Sequence, residues 1–188
     1  MTDGAGPAKV ATAAIESRIM ATPDPARLAL RQMAATLAYR AAKVLRDVPP
    51  EFAHRSFGDA TRQPVRILAH MADLMSWGVS MAGGGKEWKP AGGDDWNTEM
   101  HRFFNGLAAL DAALAADGDF KGSIDKLIQG PLADALTHVG QLAMLRGMAG
   151  APVRPESYAR AVITAGRVGL DQEAPRAEFD GDASKPRL

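Results

Sequence analysis

The stretch from Gly130 to Gly150 constrains this chain most, because it is the longest apolar segment and yet carries polar groups on the side that would face a core. Pro131 suits a first helical position, where its missing N–H costs nothing, and Gly150 followed by Pro152 is a stop signal. The spacing predicts a helix from Pro131 to Ala149. Taken one turn at a time, Asp134, His138, Gln141, Leu145 and Met148 share one stripe. A carboxylate, an imidazole and an amide on an inward stripe each need a partner, since a buried polar group left unpaired is costly. The fold must supply those partners from another element or from a bound ion.

The pass along the chain finds one comparable stripe. Thr61-Arg-Gln-Pro64 opens a second helix, with Thr61 as its cap, and His70, Asp73, Leu74, Trp77 and Met81 fall on one of its sides. Before it, Asp24 or Thr22 caps a first helix whose stripe is Leu30, Ala34, Leu37, Ala41, Val44 and Val48, ended by Pro49-Pro50. A connection over residues 51–60 uses Phe52 and Phe57 as anchors and leaves His54 on the surface. Residues 82–93 contain five glycines and a proline, which rule out regular structure and place Trp88 on a loop that serves as a lid or a plain connection. Asp94-Asp95 caps a third helix with the stripe Trp96, Met100, Phe103, Leu107, Leu110 and Leu114, which leaves His101 outside on the polar side. Short helical pieces are expected at Lys9–Met20, Ser123–Gln129 and Glu156–Ala165.

No convincing strand pattern or fixed-period repeat occurs, so the expected fold class is all-α, a four-helix bundle with short extra helices and an irregular C-terminal tail. The organisation read from this is an arm over residues 1–22, one bundle domain over 23–170 and a polar tail over 171–188. A chain of 188 residues can bury one substantial core without covalent staples. With 22 basic and 22 acidic residues and no basic run, it lacks the electrostatic footprint of a nucleic-acid or anionic-membrane partner. No segment approaches the roughly 20 apolar residues of a membrane span, and no signal-peptide pattern opens the chain, so a cytoplasmic protein is expected. The absence of cysteine excludes a protein thiol nucleophile and leaves His, Asp and Glu for metal chemistry.

His70 and Asp73 on the second helix, with Asp134 and His138 on the last, form the candidate constellation. If those helices are neighbours, two imidazoles and a carboxylate surround one ion, with open positions for water or substrate. The competing reading is structural: His70 bonded to Asp73 or a carbonyl, Asp134 near a helix N-terminus, His138 bonded to Thr137 or water. Spacing alone favours the structural one.

The sequences Ile67-Leu-Ala-His-Met-Ala-Asp73, Thr137-His-Val-Gly-Gln-Leu-Ala-Met-Leu-Arg146 and Ala149-Gly-Ala-Pro152 resemble the DinB-like (DinB/YfiT-like) superfamily of metal-binding four-helix bundles. The likeness runs from the first helix to about Pro152. It implies a divalent metal, Zn, Ni, Fe or Mn, held by one histidine of the second long helix and a His-x-x-x-His pair on the last, and it implies a homodimer. His70 matches the first ligand and His138 the second member of the pair, whereas Asp134 stands where the family places histidine. The implied function is a metal-dependent enzyme, in some relatives an S-transferase using a low-molecular-weight thiol. Asp73 and Gln141 would then orient ligands or substrate, with Trp77, Leu145 and Met148 as an apolar wall. The Asp134 departure favours an alternative, a non-enzymatic dimeric module whose site has degenerated, and a metal-dependent hydrolase is a third reading, separated from the transferase by whether turnover requires an added thiol.

Overall fold

The computed structural model describes residues 24–171; the expected Lys9–Met20 helix and the tail beyond 171 lie outside the described residues. Four long helices surround one hydrophobic core: α1 (Pro25–Leu45), α2 (Pro64–Ala82), α3 (Trp96–Ala115) and α4 (Ala133–Met148). No strand occurs among the described residues, and none of their helices is long and apolar enough to cross a membrane.

Helix starts follow local chemistry. The Asp24 carboxylate accepts from the Ala26 N–H at 2.9 Å, and the Asp95 carboxylate from the Thr98 N–H at 2.8 Å. Hydrogen bonding to Thr98 holds the Asp95 carboxyl below its ordinary range. Its support for α3 is therefore present above the unfolded carboxyl value and is lost as the pH falls through the depressed one. At α2 the expected cap is displaced. Gln63, not Thr61, occupies the capping position and makes no side-chain cap bond, and Pro64 sets the first turn.

α1 ends at Leu45, three residues before the Val48 at which its stripe was expected to finish. Val48 precedes Pro49, which disfavours helical backbone there, and Asp47 turns the chain with φ of 52°. The carbonyls released at this end are taken by α4: Arg146 donates to Val44, Arg46 and Asp47, and also to Ala151. Burial pushes the Arg146 guanidinium below its ordinary value, and Asp47 offsets part of that. At the other end of the molecule Arg27 donates to the carbonyls of Leu114, Ala116 and Gly118, closing α3 in the same way.

α2 leans on α3 and α4, and α1 leans on the same two helices, so α1 and α2 stand across a diagonal although they are consecutive in the chain. The 18-residue connection between them makes this crossing feasible. A Cβ on Gly106 would lie 2.6 Å from the Met75 Cβ, so α2 and α3 approach as closely as they do only with glycine at that point.

The start of α4 is not a simple Pro131 cap. One helical turn, Ile124–Leu127, capped by Ser123, runs through a wide turn at Ile128–Leu132 directly into α4. The continuity breaks at Gly130 (φ −91°, ψ −107°), where Pro131 denies the helix an N–H. A Cβ on Gly130 would sit 3.3 Å from the Trp77 ring, and buried Pro131 lies against Gly78, so this kink sets the height of α4 against α2. Beyond α4, the expected helix over Glu156–Ala165 is only the 3-10 turn Tyr158–Arg160. The segment is fixed to α1 by side chains instead: Glu156 accepts from the Tyr39 hydroxyl at 2.8 Å and pairs with Lys43 at 3.2 Å, both charged side chains being almost fully buried.

Asp73 belongs to the α2–α3 junction. Its carboxylate accepts from Arg102 at 2.7 Å and from the Ala91 N–H at 3.0 Å, while Glu99 accepts from Arg102 and from the Gly93 N–H at 2.7 Å. The glycine-rich loop is thus pinned by two buried carboxylates. Asp73→Ala is expected to cost about 2 kcal/mol, the scale of a lost charged hydrogen bond. Urea unfolding should register the loss, and amide exchange at Ala91 should accelerate; an unchanged midpoint would show that the network contributes nothing.

Candidate metal centre

Because α2 and α4 are neighbours, His70 and the Asp134–His138 pair, one turn apart, converge in the groove between them. His70 Nε2 lies 3.5 Å from Asp134 Oδ2, and His138 Nε2 lies 3.3 Å from Asp134 Oδ1. The two imidazoles meet edge to face with ring centres 4.9 Å apart. One donor atom from each residue lies within 4.8 Å of the others, so the three together could hold a metal ion.

Gln141 supports this chemistry. His138 Nδ1 is 2.7 Å from Gln141 Oε1, and an Nδ1–H donated to that amide oxygen would leave the Nε2 lone pair on the side of Asp134. A lone pair facing a carboxylate oxygen needs a cation between or beside them, a proton or a metal. Each imidazole Nε2 stands within 3.5 Å of an Asp134 carboxylate oxygen, His70 beside Oδ2 and His138 beside Oδ1. His138 is 13% exposed and His70 26%, whereas Asp134 is 45% exposed. The carboxylate is thus the solvent-facing member of the set, and the centre opens on its side.

That opening is a cleft of about 500 Å³, within the range that accommodates small molecules. Gln141 forms part of its wall beside the three donor residues, with Ile67, Met144 and Leu145 supplying apolar surface and Thr61 and Arg62 facing in from just before α2. Leu145 lies where the stripe placed it. Met148 does not: it is exposed one turn beyond the cleft, and Met144 takes its place.

Trp77 points elsewhere. Its ring meets Trp88 edge to face at 5.6 Å, and its indole N–H is buried with no hydrogen-bond partner. Trp88, carried by the pinned glycine-rich loop, also reaches the His70 ring at 5.6 Å and does not line the cleft. Asp73 touches the centre only through this loop. His54, in the connection before α2, and His101, off the α3 stripe, are exposed as expected.

The residues present fit a divalent ion with nitrogen and carboxylate ligands. Gln141→Leu, which removes the side chain in contact with His138 Nδ1, is expected to weaken zinc binding about 10- to 100-fold in a chelator competition. Unchanged affinity would show that this contact does not support the ligand. The fold and centre together define an all-α chain with a His-Asp-His donor set between two helices. No family model, curated protein or solved structure matches the chain.

Proposed function

We propose that this chain is a DinB-like four-helix bundle that binds one divalent metal through His70, His138 and Asp134 and works as a metal-dependent transferase on a low-molecular-weight thiol. The observation that carries the reading is the set of three electron-pair donors in an open cleft, with Gln141 Oε1 2.7 Å from His138 Nδ1. The motif likeness around His70 and His138 supports the family, and the two helices that bear those motifs are adjacent.

A divalent ion at this centre would act as a Lewis acid that lowers the pKa of a bound thiol or water. The chain's own residues do the rest. His70 and His138 would present imidazole nitrogens and Asp134 a carboxylate oxygen, with Gln141 positioning His138. Ile67, Met144 and Leu145 give the cleft an apolar flank that shields the reacting atoms. In the transfer, the thiol loses its proton to solvent and its sulfur bonds to an electrophilic carbon. The bond to the leaving group breaks, and that group departs with the electron pair. No protein nucleophile is required, in keeping with a chain that has no cysteine.

Metal analysis of protein never exposed to chelator is expected to find close to one equivalent per chain. The loaded protein should conjugate a fluorogenic alkylating agent to a thiol faster than the metal-free protein does. Metal absent after reconstitution would overturn the site and favour a non-enzymatic module, and turnover of an ester without added thiol would favour a hydrolase.

A further inference from the structure

We infer that Arg62 selects the ligand of the cleft, and that this ligand is a small, dianionic molecule with a thiol or similar group for the metal centre at one end and a carboxylate for Arg62 at the other. The inference rests on the metal-centre reading. Its basis is charge. Among the described residues lining the cleft, Asp134 and Arg62 carry the only full charges. A divalent ion and the Asp134 carboxylate sum to one positive charge, and Arg62 adds a second, so two negative charges on the ligand balance the site.

Arg62 is free for this work. It makes no hydrogen bond or ion pair among the described residues, whereas the arginines around it are occupied. Arg66 donates to the Gly93 carbonyl, and Arg55 donates to the Ala149 carbonyl and lies over the Phe57 ring. A planar guanidinium at a cleft rim matches a carboxylate with two parallel hydrogen bonds.

The distance between the two ends also limits the ligand. From the first turn of α2 to His70 the helix rises about 9 Å, much of which the long Arg62 side chain can span. Ile67, between them on α2, and Met144 and Leu145 on α4 line the intervening surface, which suits a short methylene chain.

The test is calorimetric titration of zinc-loaded protein with ω-mercapto acids carrying two to five carbons, each beside its methyl ester. At least one acid should bind about tenfold more tightly than its ester in the wild type. In Arg62→Gln the ratio should fall close to one, with zinc stoichiometry unchanged. An acid-to-ester ratio near one across the wild-type series, or a preference that survives Arg62→Gln, overturns the role of Arg62 while leaving the metal centre standing. Failure of the wild type to take up zinc overturns the metal reading and this inference with it.

Discussion

Zinc supplied at a hundred times its dissociation constant is expected to raise the thermal unfolding midpoint by about 5–11 °C. An ion bound only by the folded chain contributes about 2.7 kcal/mol at that excess. For a chain of this size each kcal/mol moves the midpoint by about 2–4 °C. His70→Ala and His138→Ala should each abolish the shift, because each removes a nitrogen ligand and leaves two donors. Asp134→Ala should reduce it, and Asp134→His, which restores the residue type of the resembling family, should preserve or enlarge it. Differential scanning fluorimetry with and without metal checks every arm. A shift that persists in His138→Ala would mean that the ion binds elsewhere.

Arg146→Met is expected to destabilise the chain by about 3 kcal/mol. The guanidinium is buried and serves four carbonyls, with its shortest contacts to Arg46 at 2.7 Å and Val44 at 2.9 Å. Methionine fills much of the same volume but leaves the buried Val44 carbonyl without this donor, and a buried orphan costs about 1–3 kcal/mol, with the three part-buried carbonyls adding less. At 2–4 °C per kcal/mol the midpoint should fall by about 6–12 °C. Arg146→Lys should recover only part of it, since one ammonium cannot reproduce the planar fork. A fall of less than a few degrees in Arg146→Met would show that water takes over the carbonyls.

The apolar stripes were legible in the sequence because helical periodicity is a local property. The α3 stripe is buried at Trp96, Phe103, Leu107, Leu110 and Leu114, with Met100 half-buried, and Asp24 and Asp95 cap as expected. The juxtaposition of His70 with Asp134 and His138 was legible as a condition, that the second and last long helices be neighbours. Asp73 shows what periodicity cannot decide. It shares His70's side of α2 by spacing, yet a few tens of degrees around the helix turn it to Arg102 and the returning loop. Arg102 and Glu99 gave no signal, being charged residues on a helix surface that a glycine-rich segment happens to cover. Arg62 was equally silent, because it stands outside α2 and enters the cleft only through the path of the connection before it.

The diagonal placement of α1 and α2 bears on how the chain comes into being. When residues 24–95 have left the ribosome, neither α1 nor α2 has its main packing partner, since each leans on α3 and α4. The alanine-rich flank of α1 and the methionines of α2 must wait, exposed, for the second half of the chain. Folding is therefore committed late, and the last helix to be made carries both Arg146, which clamps the end of the first, and two of the three donor residues.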